Sequence, residues 1–179
     1  VGETIVYTRN APEDRVQSIW AMSADGSRAR QVTFPPLAAQ TSRGAIELRP
    51  FKPGDFDPRL SPDGERIAFE RHLDDDFALG EHRVGHWDIF VINIDGSGER
   101  DLTGEREAAG FPKWSPDGQT ILFLAYRLEQ GRPSVALYTI GVDGRGRQRV
   151  PIPIANLVPL GGEWLPDGEH IVFVAEVFR

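Results

Sequence analysis

The sequence predicts an all-β fold, a β-propeller of four-stranded antiparallel blades with about three to four blade equivalents present. Three observations predict it: one segment recurs along the chain, each interval between copies holds four short strands, and no stretch shows helical periodicity. The recurring segment is Pro58-Arg59-Leu60-Ser61-Pro62-Asp63-Gly64, repeated as Pro112-Lys113-Trp114-Ser115-Pro116-Asp117-Gly118 and Gly162-Glu163-Trp164-Leu165-Pro166-Asp167-Gly168. A further copy is entered midway at Gly2. The glycines at 2, 64, 118 and 168 set periods of 62, 54 and 50 residues.

Each element follows from local chemistry. In Ser-Pro-Asp-Gly the proline presets φ, the aspartate caps nearby N–H groups, and the glycine accepts a positive φ, which makes a tight hairpin. Strand a enters that turn at 58–61, 112–115 and 162–165. Strand b leaves it at 4–8, 66–70, 120–126 and 170–175. Runs such as Ile121 to Tyr126 are apolar at successive positions, so both faces of strand b should be covered. A propeller provides this, because neighbouring blades sandwich each other. Strand c is expected at 18–23, 88–94 and 135–141. Asp25-Gly26, Asp95-Gly96 and Asp143-Gly144 then turn the chain into strand d at 29–33, 99–103 and 147–151. The chain reads as one domain over 1–179, with repeat units at about 1–34, 57–103, 111–151 and 161–179.

This unit, with its Trp-Ser-Pro-Asp-Gly turn, Ile89-Phe90-Val91 strand and Leu102-Thr103 ending, resembles the TolB-like, WD40-like propeller repeat. Related units occur in propellers of prolyl-oligopeptidase-like peptidases and of oligogalacturonate lyases. The resemblance implies a six-bladed ring, a periplasmic or secreted location, and a platform that binds a protein or peptide partner without catalysis. Two departures stand out: Val150-Pro151 occupies the place of Leu-Thr in the third d strand, and Leu165 replaces the turn serine. No segment resembles the α/β domain that precedes the propeller in that family.

Composition narrows the function classes. A net charge of −7 with no basic cluster disfavours nucleic acid. Cysteine is absent, which removes disulfides and thiolate metal sites. No apolar run is long enough to span a membrane. The chain begins at Val1 without a basic-then-apolar leader, and a processed protein and an excised fragment both fit. There is no Gly-x-Ser-x-Gly elbow, Gly-rich phosphate loop or His-Glu-x-x-His helix. The sequence therefore predicts no enzyme and no cofactor.

If strands alternate in direction, the a–b and c–d turns share one face of the ring and all insertions lie on the other, at 10–17, 35–57, 71–86, 104–111, 127–134 and 152–161. Binding tends to reside in such loops. The candidate contacts are Arg49, Phe51, Lys52, Phe56, His72, Asp74, Asp75, Asp76, His82 and His86. The loop 71–88 holds three of the four histidines beside three consecutive aspartates. Imidazole and carboxylate ligate divalent ions, but this spacing matches no metal motif, and a solvated acidic loop is the expectation. His170, at a strand start, reads as structural. Two alternatives stay open: the propeller of a prolyl-oligopeptidase-like serine peptidase, and a carbohydrate-active propeller similar to oligogalacturonate lyase. Strand counting also predicts raw sheet flanks exposing Ile5, Tyr7, Ile171 and Phe173, through which chains could self-associate.

Overall fold

A computed structural model describes residues 3–10, 16–36, 54–73, 77–79, 82–84, 86–104, 108–129 and 132–177. The described residues form fifteen strands. A first, three-stranded blade contains β1 (Thr4–Asn10), β2 (Gln17–Ser23) and β3 (Arg30–Gln31). The second has β4 (Gly54–Leu60), β5 (Arg66–His72), β8 (Trp87–Asn93) and β9 (Arg100–Asp101), with a small ribbon of β6 (Phe77–Leu79) and β7 (His82–Val84) between b and c. The third has β10 (Ala108–Trp114), β11 (Thr120–Glu129), β12 (Arg132–Gly141) and β13 (Gln148–Arg149). A hairpin of β14 (Leu157–Trp164) and β15 (Ile171–Val177) follows. Pairing within each blade is antiparallel, and successive blades touch through one parallel residue pair each, Gln17 with Gly54 and Trp87 with Ala108.

Alternation along strand b builds the core. On β5, Ile67 and Phe69 point to the first blade and join Ile19, Ala21, Val32 and Ile92. Ala68 points the other way, into a cluster with Ile89, Trp114, Ile121 and Phe123. On β11 the pattern repeats, since Leu122 and Leu124 turn from Phe123 toward Trp164, Ile171 and Phe173 of the last hairpin. Phe69 and Phe123 are fully buried. Each such side chain contributes about 1.5–3 kcal/mol from burial.

The turns form as their chemistry requires. Ser61 and Ser115 donate their hydroxyls to Asp63 and Asp117, which also accept the Glu65 and Gln119 N–H groups at 3.0 Å. The serine oxygen in turn accepts Arg66 or Thr120 N–H at 2.9 Å. Leu165 has no hydroxyl to offer, and His170 compensates: its Nδ1 lies 2.7 Å from Asp167 Oδ2 and its N–H donates to Asp167 Oδ1 at 3.0 Å. His170 is thus part of a turn. The threonine that ends strand d is a latch, because Thr33 and Thr103 accept the Ile19 and Ile89 N–H groups at 2.9 and 3.0 Å.

Several expected boundaries move. Strand a starts within the stretches read as insertions, because Gly54-Asp55-Phe56, Ala108-Ala109-Gly110 and Leu157-Val158-Pro159 pair with the far end of strand b. Each a strand absorbs one extra residue as a bulge, between Phe56 and Arg59, Gly110 and Lys113, and Pro159 and Gly161. Asp57 and Phe111 sit in the first two bulges at φ of 46° and 60°. The described residues of the stretch 127–134, read as an insertion, belong to the long β11–β12 ribbon, which is paired out to Glu129 and Arg132. One flank is also reassigned. Ile171 and Phe173 pack inward on the third blade, so the residues exposed beside them are Val172 and Val174, at 54% and 68%. On β1, Val6 packs inward and Ile5 is exposed.

Two predictions follow from the backbone. A Cβ at Gly54, where φ is +138°, would lie 2.7 Å from the Gln17 carbonyl oxygen. Gly118 has φ +67°, and a Cβ there would meet only side chains at ordinary contact distance, Arg66 Nη2 at 3.4 Å and Pro62 Cδ at 3.6 Å. Gly118→Val should cost about 1–3 kcal/mol from backbone strain, and Gly54→Ala should cost more, since backbone must move; thermal melts rank the two. Asp167, held by the Glu169 N–H and then by His170, has its carboxyl lowered from 3.8 to about 2. A depressed folded value means the turn contributes stability above pH 3.8 and loses it as pH falls toward about 2. Melting temperature should fall over that window, and Asp167→Asn should lower it at neutral pH while flattening part of the fall.

Candidate functional site

The long-loop edge of the second blade gathers the described candidates. His72 ends β5 and pairs in register with Trp87 at the start of β8 and with Gly54 at the start of β4. Phe56, two residues beyond Gly54 on β4, lays its ring against the imidazole. The rings stack in a row: Phe56 to His72 at 4.2 Å and 26°, His72 to Trp87 at 5.0 Å and 22°. The His72 side chain is 10% exposed. Its Nε2 lies 3.4 Å from Glu70 Oε2, while Glu70 Oε1 accepts the Phe111 N–H at 2.6 Å and so holds the bulge of the next blade. His86, also buried, sits 3.0 Å from Asp88 Oδ2, and Asp88 Oδ1 accepts the Thr103 hydroxyl at 2.9 Å. Phe56 is half-buried.

On the opposite face of β5, Arg71 is clamped between two carboxylates. Its Nε and Nη2 donate to Asp55 at 2.7 and 3.0 Å, and Nη1 and Nη2 donate to Glu99 at 2.7 and 2.9 Å. The guanidinium also lies over the Phe90 ring at 4.5 Å. Burial pushes the Asp55 carboxyl up, opposed by the Arg71 hydrogen bonds and charge and by Thr33. Burial disfavours the charge of Arg71 as well, yet the hydrogen bonds from Asp55 and Glu99 hold it above its ordinary value. In the β4 bulge, burial raises Asp57 against the charge of Arg59, whose Nη2 is 2.6 Å away.

The structure therefore brings Phe56, His72 and His86 to one edge of one blade, and seats the two histidines inside it. Arg49, Phe51, Lys52, Asp74, Asp75 and Asp76 lie outside the described residues, and of His82 only the backbone is described, in β7. The candidate contacts named from the sequence do not include Asp55, Glu70, Arg71 or Trp87. A signal was present: Glu70-Arg71-His72 continues a strand whose preceding residues are buried on both faces, so its charges had to be partnered. Among the described residues no group of three histidine or acidic side chains is arranged to hold a metal ion. No described helix is long and apolar enough to cross a membrane.

No protein-family model matches the chain. Over 82 residues it is 37% identical to the Tol-Pal system protein TolB of Rhizorhabdus wittichii, a stretch covering 46% of this chain and 18% of that protein. Over 118 residues it is 27% identical to dipeptidyl-peptidase 5 of Porphyromonas endodontalis, covering 66% of this chain and 16% of that one. The solved structure of a putative TolB from Agrobacterium tumefaciens superposes with a TM-score of 0.66 at 19% identity, over 97% of this chain and 50% of that chain. The chain is a TolB-like partial propeller. Its matched stretches span less than a fifth of these curated relatives, and it covers half of the TolB-like structure.

The Arg71 clamp yields a prediction. Arg71→Leu leaves Asp55, whose side chain is 0% exposed, without its cation. The cost should be about 3–5 kcal/mol, as for a broken buried pair, and Asp55→Leu in the same chain should recover most of it. Urea unfolding of the single and double variants measures both.

Proposed function

We propose that this TolB-like propeller is a non-catalytic scaffold that binds a protein or peptide partner on its long-loop face, in the periplasm or outside the cell. The observation that carries the reading is the sorting of connections. The a–b and c–d turns are uniformly short, whereas the lengthened segments, among them the β6–β7 ribbon and the projecting β11–β12 ribbon, share the opposite edge. The Phe56–His72–Trp87 stack gives that edge a rigid aromatic shelf, the kind of anchor that protein interfaces favour. Arg49, Phe51, Lys52, Asp74, Asp75, Asp76, His82 and His86 are the proposed further contacts around it. The described hydroxyls of Ser61 and Ser115 are engaged by their own turns, which supports scaffolding over nucleophilic chemistry. The relative in Rhizorhabdus wittichii is named as a Tol-Pal system protein, and this supports an envelope setting.

A second reading has one observation in its favour: the similarity to dipeptidyl-peptidase 5 spans 66% of this chain, more than the 46% matched to TolB. It makes the chain the propeller of a prolyl-oligopeptidase-like serine peptidase. Reading the encoding gene for a Ser-Asp-His hydrolase domain separates the two. For the scaffold, peptides selected from a random display library against the chain should give hydrogen-exchange protection at 54–60, 70–73 and 86–88. Protection confined to the turns at Pro62, Pro116 and Asp143 would overturn the assignment.

A further inference from the structure

The chain contains six Asp-Gly pairs, and each lies in a tight turn. Asp-Gly is prone to modify itself, because the glycine nitrogen has no side chain beside it to hinder attack on the aspartate carboxyl carbon. In all six turns that nitrogen is engaged alike: the N–H groups of Gly26, Gly64, Gly96, Gly118, Gly144 and Gly168 donate to the carbonyl two residues before the aspartate, at 2.8–3.0 Å. What differs is how the carboxyl is held. Ser27 and Ser97 each donate an N–H at 2.9 Å and a hydroxyl at 2.6 Å, to Asp25 and Asp95. A serine hydroxyl and a backbone N–H hold Asp63 and Asp117, while Asp167 accepts the Glu169 and His170 N–H groups and faces His170 Nδ1. Among the described residues the Asp143 carboxyl has one such bond, from the Arg145 N–H at 2.9 Å. Arg145 stands where the other two c–d turns carry Ser27 and Ser97, and it offers no hydroxyl.

We propose that Asp143-Gly144 is a site of spontaneous self-modification, where the aspartate cyclises onto the glycine nitrogen and reopens as isoaspartate. In the first step the Gly144 nitrogen bonds to Asp143 Cγ, and the carboxyl hydroxyl leaves as water with the amide proton. In the second, water adds to the Asp143 α-carbonyl carbon and breaks its bond to that nitrogen, so the chain continues through Cγ and an α-carboxylate is left. No oxidant or cofactor is consumed. The neutral acid is the form that cyclises, since its hydroxyl can leave as water. Serine hydroxyl bonds hold the carboxyls of Asp25, Asp63, Asp95 and Asp117 below their ordinary value, and the Glu169 N–H does so for Asp167, which shrinks the reactive fraction at those pairs. The amide of the third c–d turn is activated besides. Arg100 Nη1 donates to Asp143 O at 2.9 Å, and a cation on that oxygen draws electron density from the Gly144 N–H and eases loss of its proton. There is room for the change: Asp143, Gly144 and Arg145 are exposed, and a Cβ at Gly144 or Gly146 would meet nothing within 4 Å. Asp143 O is also where β9 of the second blade is tied to the third, so the longer backbone of isoaspartate loosens that tie.

The test is storage of the folded whole chain at neutral pH, followed by digestion and mass-spectrometric separation of isoaspartyl from aspartyl peptides at the six pairs. Isoaspartate should appear first at Asp143. Arg145→Ser, which restores the hydroxyl of the other two c–d turns, should slow it about two- to tenfold, the factor that one hydrogen bond supports. Ser97→Ala should raise the rate at Asp95 by a similar factor. In urea, where the turns are gone, the rates at all the pairs should converge. Isoaspartate appearing at no pair or first at another pair, an Arg145→Ser rate equal to the parent's, or a preference for Asp143 that persists in urea would overturn the proposal.

Discussion

Ile67 and Ala68 are adjacent in one strand and both are fully buried. Successive residues of a strand point to opposite faces, so β5 is dry on two sides and needs a neighbour on each. The rest of the architecture depends on that constraint. Blades stack because strand b has no wet face, and the clusters built on Phe69 and Phe123 are the two seams where they meet. Gly54 and Ala108, at the points where consecutive blades exchange a backbone pair, are correspondingly small.

Burial on both faces also decides what happens to polar residues. Near the long-loop end, β5 changes from Ile-Ala-Phe to Glu-Arg-His, and each of these three is drawn into a built contact: Glu70 to the Phe111 N–H, Arg71 to Asp55 and Glu99, His72 into the aromatic row. The Glu70–Phe111 contact fixes how strand a of the third blade meets strand b of the second, while the Arg71 and His72 contacts tie the second blade's own strands together. The edge proposed to receive a partner is therefore rigid, and rigidity lowers the entropy lost on binding.

The likeness to TolB proteins and to a dipeptidyl-peptidase concerns this shared frame. A propeller seam asks only for alternating apolar residues and tight turns, so proteins with different tasks converge on the same repeat while their long loops diverge.

The sequence by itself determined the repeat, the four-strand blade, the tight turns and the sorting of connections onto two edges, because each is written in local chemistry: proline and glycine fix turns, and doubly apolar runs demand two neighbours. Strand ends and site membership were decided only in three dimensions. Ile171 and Phe173 differ from Val172 and Val174 by which side the third blade occupies, and no local signal says so. The start of β4 at Gly54 depends on pairing with His72 across a bulge, and the burial of His72 depends on Phe56 and Trp87 closing over it. The departure at Pro151 was visible as a missing threonine. What that removes could be seen only once the Thr33 and Thr103 latches were in place to compare, because a latch is a contact between residues about 14 apart in sequence.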